Sequence, residues 1–261
     1  EQLIVAPVLS YKISPATSVG VSPLLVRQTF SAKGLLNSFG VPSAGNDTST
    51  GLGVRIGVYT KLSDGFSLGA SYSPKTSMSK FDKYAGLFAE QGKFDIPANY
   101  AFGVAMDVSP RVTVAAVYQK IQYSGVRAIA NASLANFGNG LGAANGPGFG
   151  WTDVNVLKLG VQWKYNDTLT LRVGYNHSTN PVQAADVMFN ILAPGVITNH
   201  YTLGATYRMA KNSELTWAYM YAPQNSVSGF DMSSNPTTIR MSQQRSEERR
   251  VGKECLRLCR S

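Results

Sequence analysis

Apolar and polar residues alternate with a period of two through most of this chain, which confines it to extended strands. In 155–165 one face reads Leu157, Leu159, Val161, Trp163 and Tyr165, against Lys158, Gly160, Gln162 and Lys164. In 168–176 Leu169, Leu171, Val173 and Tyr175 oppose Thr170, Arg172, Gly174 and Asn176. Segments 51–59, 66–73, 99–107, 201–208 and 214–221 repeat the pattern. Successive side chains on a strand point to opposite faces, so each segment is a ribbon with one apolar and one polar face. Segments 2–13, 18–30 and 112–123 are strand-like but change phase, and 237–244 is a strand cut short. Pro7 and Pro23 are expected to bend the first two segments or remove a ladder hydrogen bond there.

The connections between these eleven candidate strands alternate in length. Short ones carry turn residues: Ser14-Pro15-Ala16-Thr17, Ser63-Asp64-Gly65, Ser109-Pro110-Arg111, Asn166-Asp167 and Lys211-Asn212-Ser213. Long ones span 31–50, 74–98, 124–154, 178–199 and 223–236. Tight turns on one side and long loops on the other are the pattern of bacterial outer-membrane barrels. A soluble sandwich or lipocalin also alternates, but its polar face is rich in Lys and Glu. Here the polar faces are mostly Gly, Ser, Thr, Asn and Ala, and charged residues are only 15% of the chain, against ~25% in an ordinary soluble protein.

The apolar faces end in Trp163, Tyr165, Tyr175, Tyr207, Trp217 and Tyr221, as aromatic girdles do. The longest uninterrupted apolar run is the six residues of 217–222, so a membrane helix of ~20 residues is excluded. Hydrocarbon offers no water to backbone polar groups, so a spanning sheet must close on itself. The expected fold is all-β: an antiparallel up-and-down transmembrane β-barrel. Such barrels have an even strand count, and the last strand runs inward. Counting back, an odd number of strands is expected to precede residue 1, making the chain a partial barrel.

Residues 245–261 break the pattern. They carry six Lys/Arg, three Asp/Glu and both cysteines, Cys255 and Cys259, of a chain with net charge +9. Arg245-Ser246-Glu247-Glu248-Arg249-Arg250-Val251-Gly252-Lys253-Glu254-Cys255 fits neither a strand nor an amphipathic helix. The string resembles the translation of a common sequencing-library adapter. The expectation is therefore a barrel portion over 1–244 and a non-native tail over 245–261. The cysteine-free body fits an oxidising compartment.

Several loop stretches are specific: Lys80-Phe81-Asp82-Lys83-Tyr84-Ala85-Gly86-Leu87-Phe88-Ala89-Glu90, Phe94-Asp95-Ile96-Pro97-Ala98-Asn99-Tyr100, Gly148-Phe149-Gly150-Trp151-Thr152-Asp153 and Phe189-Asn190-Ile191-Leu192-Ala193-Pro194-Gly195-Val196. With them, 1–244 resembles the outer-membrane long-chain fatty-acid and hydrocarbon transporter family of the FadL and TodX kind. The resemblance implies a fourteen-stranded barrel with an N-terminal hatch in its lumen, of which this chain corresponds to strands four to fourteen. It also implies capture of a hydrophobic ligand by outer loops, passage into the lumen and sideways exit through a gap at a kinked early strand.

The loop residues themselves suggest where such a ligand would sit. Phe81, Tyr84, Leu87 and Phe88 recur at i, i+3, i+6 and i+7, the spacing of one face of a short helix, with Phe94 and Ile96 following. Large apolar groups on an outer loop lose free energy to water unless they pack or bind something. Two readings stand: a lid of loops packed on one another, and a greasy ligand groove. On the lumen face Arg55, Lys158, Arg172 and Arg208 could pair with a ligand carboxylate. The alternative is satisfaction by Glu214, Asp107 or a hatch carboxylate. Lys158 lies where the resemblance places a basic residue.

Other signals are weak. His177 and His200 are the only histidines, and Ser178 beside His177 would need an acid to form a hydrolytic triad. The glycine-rich 138–150 precedes no helix, no Cys/His cluster suggests a metal, and no basic aromatic face suggests nucleic acid. The expected function is passive outer-membrane transport of hydrophobic molecules, fatty acids or hydrocarbons, without cofactor or covalent chemistry. The expected surroundings are outer-membrane lipid and lipopolysaccharide, and the expected state is a monomer. The competing readings are a general diffusion porin and a membrane-embedded lipase.

Overall fold

The computed structural model describes residues 1–35, 40–41, 43–210, 213–231 and 233–252. Lys211 and Asn212 of one expected turn, and Cys255 and Cys259, lie outside the described residues. Among the described residues twelve strands form one antiparallel sheet: β1 (Gln2–Val5), β2 (Leu9–Lys12), β3 (Thr17–Phe30), β4 (Asp47–Ser63), β5 (Phe66–Ser73), β6 (Ala98–Ser109), β7 (Val112–Gln122), β8 (Val154–Lys164), β9 (Leu169–Ser178), β10 (Asn199–Ala210), β11 (Ser213–Phe230) and β12 (Pro236–Gly252). From β3 onward each strand pairs with its neighbours in sequence, the up-and-down order expected. Among the described residues no pairing joins β12 to β1 or β2, so the sheet is open.

The first expected strand is present as two halves, β1 and β2, both paired to β3. Val5 faces Leu25 and Leu9 faces Val21, so Pro7 falls opposite Pro23. Neither proline has an N–H to donate, and the ladder is interrupted between them.

The expected long connection over 223–236 is mostly strand. Asn225 through Phe230 pairs with Met241 back to Pro236 beyond a bulge between Ala222 and Asn225, where Pro223 needs no ladder donor. The tip is tight because Asp231 accepts the backbone N–H groups of Asn235 and Ser233, each at 2.8 Å. Chiefly the Asn235 backbone bond, then the Asn235 side chain and the Ser233 N–H, hold its carboxyl below the usual carboxylate range. At the other end β12 continues past the expected limit at 244, with Arg245 facing Met220 and Glu248 facing Trp217. Main-chain pairing is open to any residue with an N–H, so the ladder forms regardless of side-chain pattern.

The two faces divide as the alternation requires. Leu159 and Val161 are each 44% exposed on the outer side, beside Leu157 and Trp163. Tyr175, Tyr201 and Tyr221 lie in one row across β9, β10 and β11. Tyr207 lies six residues below Tyr201 on β10, about 20 Å along the strand at ~3.3 Å per residue. Trp163 and Tyr165 meet edge to face at 5.1 Å near the short-turn end. Aromatic rows thus bound an apolar outer band, the form a lipid-facing wall takes. No helix among the described residues is long and apolar enough to cross a membrane.

The buried core lies at the long-loop end. One cluster joins Leu35, Val41, Phe81, Tyr84, Leu87, Phe88, Ala89 and Ala128. A second joins Val182, Val187, Val196 and Ile239, and a third joins Leu24, Val26 and Met78. Tyr84, fully buried, fixes the first: its hydroxyl donates to the Gly45 carbonyl at 2.6 Å and accepts the Ala32 N–H at 3.0 Å.

Two substitutions test this division. Leu159→Arg should destabilise the protein in lipid vesicles by ~2–4 kcal/mol in urea unfolding, while Gly160→Ser on the opposite face changes it by less than ~0.5 kcal/mol. Tyr84→Phe should raise the amide exchange rate of Ala32 by roughly tenfold, because both backbone partners of the hydroxyl are then unpaired.

Candidate functional site

The long loops fold into a cap threaded by a line of aromatic rings. Tyr84 meets Phe30 at 4.8 Å, Phe30 meets Phe88 at 4.9 Å, and Phe88 meets Phe94 at 5.0 Å. The line continues from Phe94 to Phe149 at 6.5 Å, to Trp151 at 6.3 Å, and to Tyr123 at 5.0 Å. Edge-to-face contacts place a ring's positive rim on its neighbour's negative face. Burial pushes the Tyr123 phenol up, so it stays neutral in the cap. Phe81, Tyr84, Leu87 and Phe88 therefore belong to one packed body, and Phe94 packs against it. Ile96 packs apart from them, on Leu24, Val26 and Met78.

The expected helix over 80–90 is not there. A 3-10 turn over Asp82–Tyr84 is followed by a second turn in which Glu90 and Gln91 take positive φ, 57° and 60°. The left-handed turn is held by Gln91 N–H on the Gly142 carbonyl at 2.8 Å and Glu90 N–H on Ala143 at 3.4 Å. Gly92 completes it, because a Cβ there would fall 2.3 Å from the Phe81 carbonyl oxygen. The apolar spacing survives because every large side chain must reach the same cluster, not because the backbone is a continuous helix.

Asp186 anchors the second half of the cap. Its buried carboxylate accepts the Ser133 N–H at 2.6 Å and the Ser133 hydroxyl at 2.7 Å. Gly150, with φ +66°, lies against that carboxylate, and a Cβ there would fall 2.1 Å from its carbon. Buried Asn190 donates to the Phe149 carbonyl at 2.7 Å and accepts the Trp151 indole N–H. Of the apolar residues on 178–199, Val182, Val187, Phe189 and Val196 are buried, while Ile191 and Leu192 remain exposed.

Two of the depressions that open beside this packed body share Phe137. One, of about 370 Å³, is lined by Val41, Leu141, Phe137, Lys83 and the backbone of Gly40, Gly86 and Gly140. The other, of about 630 Å³, is lined by Leu134, Phe137, Phe230, Asp231 and Ser234. Phe137 stands between them. Of these residues the sequence pattern points only to Lys83 and Gly86, within 80–90, and the glycine-rich 138–150 suggests only a loop.

The lumen cations are all on the inner face, but they do not converge. Lys158 donates to Gln119 at 2.9 Å, and Arg172 donates to Gln162 at 2.9 Å and to Thr206 at 2.7 Å. All three partners are neutral, and no ion pair involves Lys158, Arg172 or Arg208 among the described residues. Arg208 faces Glu214 in register and reaches the Asp167 carbonyl at 3.5 Å, at the short-turn end. On β10 the rows of Lys158, Arg172 and Arg208 are marked by His200, Gly204 and Arg208. Each step is four residues, about 13 Å of strand. Arg55 lies apart from this file, on β4 opposite Ser22.

His177 and Ser178 are consecutive on β9 and point to opposite faces, and His177 Nδ1 is 2.9 Å from Asn199 Oδ1. The geometry joins neither histidine to a serine and an acid. Among the described residues no group of three or more His, Cys, Asp or Glu could hold a metal.

Solved structures similar to this chain are outer-membrane channels. The toluene transporter TodX of Pseudomonas putida matches at a TM-score of 0.61 and 19% identity, over 97% of this chain and 69% of that one. The toluene transporter TbuX of Ralstonia pickettii matches at 0.59 and 18%, over 96% and 67%. A FadL homologue of Pseudomonas aeruginosa matches at 0.60 and 15%, over 96% and 66%. At these identities the likeness carries the fold. No curated protein sequence matches the chain. The family described as outer membrane protein transport protein (OMPP1/FadL/TodX) matches residues 1–248. With its apolar faces turned outward and its loops gathered into one cap, the chain belongs to that family of outer-membrane transport proteins.

Proposed function

We propose that this chain carries hydrophobic molecules, fatty acids or hydrocarbons, passively across the outer membrane. The observation that carries the reading is the apolar depression at Val41, Phe137 and Leu141, set in the cap above a lumen wall studded with cations that lack carboxylate partners. An apolar body leaves water at the depression, at ~25 cal/mol for each Å² it buries. An acidic head then finds charge-assisted donors at Lys158 and Arg172. Phe81, Tyr84, Leu87 and Phe88 form the frame of the depression rather than its floor, since each is 7% exposed or less. No step forms or breaks a covalent bond, so the protein acts without catalysis. A general porin is less well supported: the mouth of the lumen is covered by greasy clusters, which a polar solute would have to cross without compensation.

The reading gives residues 245–261 no part in transport. Glu248 would set a carboxylate beside Trp217 on the lipid-facing side, where charge costs free energy, in keeping with a tail foreign to the wall.

Uptake of labelled toluene and oleate by cells making the full-length protein tests this. Val41→Ser with Leu141→Ser should lower the initial rate of both severalfold at limiting ligand. Lys158→Met should lower oleate uptake about tenfold, one charge-assisted hydrogen bond, and leave toluene unchanged. Uptake that neither change affects would overturn the proposal.

A further inference from the structure

The depression between Leu134 and the tip of the β11–β12 hairpin is the larger of the two that share Phe137, at about 630 Å³. That lies within the ~300–1,000 Å³ usual for small-molecule sites. It is open to solvent, since Phe230 in its wall is 59% exposed. Both walls are fixed. Leu134 and Phe137 stand on one turn, closed by the Phe137 N–H on the Leu134 carbonyl at 3.2 Å. The neighbouring Ser133 ties that turn to buried Asp186, and the Phe137 ring meets Phe189 edge to face at 6.3 Å. The opposite wall is the hairpin tip. Gly229 seats it, because a Cβ there would run into the Ala184 carbonyl oxygen.

Charge separates this depression from its neighbour. The smaller one carries Lys83, whereas the larger one carries Asp231, and among the described residues no Lys or Arg lines it. No ion pair neutralises Asp231 among the described residues. Both of its oxygens already accept from the tip: Oδ1 from the Ser233 and Asn235 N–H groups, and Oδ2 from the Asn235 amide at 3.1 Å. These bonds hold the carboxyl below the usual carboxylate range, so it is an anion at neutral pH. The site thus offers a ligand negative charge and two phenyl rings rather than free acceptors. An alkylated ammonium ion matches that offer, because it has no N–H to satisfy and packs its methyl groups on aromatic rings. A carboxylate would meet like charge there, and an uncharged hydrocarbon gains nothing from Asp231.

We infer that the depression at Leu134, Phe137, Phe230 and Asp231 binds organic ammonium ions with an apolar body. This is a ligand class apart from the acids and hydrocarbons of the transport reading, and the two stand independently. Removal of the apolar body from water supplies the affinity, and Asp231 supplies the choice of sign.

The test uses three probes that share a phenylalkyl body: 4-phenylbutyltrimethylammonium, its uncharged carbon isostere (5,5-dimethylhexyl)benzene, and 5-phenylpentanoate. Affinities are measured on the full-length protein in nanodiscs of zwitterionic lipid, each as a ratio of wild type to variant, so that partition into lipid cancels. Asp231→Asn should weaken the ammonium ion about fivefold, the worth of an exposed charge pair, and leave the isostere unchanged. The introduced amide oxygen still accepts the Ser233 and Asn235 N–H groups, so the tip stays closed. At about 0.5 M salt the effect of Asp231→Asn should shrink below about twofold, because exposed charges are screened. Phe230→Ala should weaken the ammonium ion and the isostere alike, severalfold, and leave 5-phenylpentanoate within about twofold, since Phe230 does not line the depression that holds Lys83. Ammonium affinity indifferent to Asp231→Asn overturns the site. So does equal loss of all three probes in Phe230→Ala, which would report a general loosening of the cap. Wild-type protein that keeps the ammonium preference but takes up neither toluene nor oleate removes the transport reading alone.

Discussion

A peptide N–H in hydrocarbon has no water to turn to, and the rest of this structure follows from that constraint. Every residue between the aromatic rows must place its main-chain groups in a ladder, so the wall is built from consecutive antiparallel pairs such as β8 with β9 and β9 with β10. The pairing in turn forces the alternation. Leu159 faces outward and Lys158 inward because they are neighbours, not because either makes a decisive contact of its own. The interruption at Pro7 opposite Pro23 coincides with residues that have no N–H to strand. Composition answers to the same constraint: glycine and threonine on the inner face keep the lumen open where a soluble protein would fill its core.

The cap obeys different physics. Above the wall, water can satisfy the backbone, and the loops are held by ring contacts and a few buried polar anchors. Asp95 shows how such an anchor works. Its carboxylate is almost fully buried, accepts the Met78 N–H at 2.9 Å and lies 3.5 Å from Lys93 and 3.7 Å from Lys75. Asp186 does the same for 124–154 and 178–199 through Ser133. Asp95 closes one long loop on itself, and Asp186 ties two long loops together. That allows an apolar cluster to stand at the mouth without collapsing into the lumen.

Much of the wall could be read from residue order, because period two is a local signal. β8, β9 and β10 appear within a few residues of their expected limits. The signal fails where both faces meet the same medium. Asn225–Phe230 is polar on alternate and intervening positions alike, so it reads as loop although it is strand. It also misleads in 80–90, where spacing that suits a helix arises from separate turns converging on Phe30. In the site, Phe81, Tyr84 and Phe88 were legible as an apolar set. Their partners Phe30, Phe149 and Trp151 were not, since nothing local says which distant ring a phenylalanine will meet. Lys158 and Arg172 could be placed on the polar face, but their separation exists only in the register between strands.

That separation carries a kinetic consequence. With about 13 Å between successive cations, a single head group can be held by one of them at a time. On the function proposed above, the path from mouth to periplasmic rim is then a series of discrete wells divided by stretches of glycine and threonine wall. Neutral neighbours at each station, Gln119 at Lys158 and Gln162 with Thr206 at Arg172, compete for the same donors and keep every well shallow. A conduit of this kind favours throughput over retention, since a site that grips too firmly stops the flow it is meant to support.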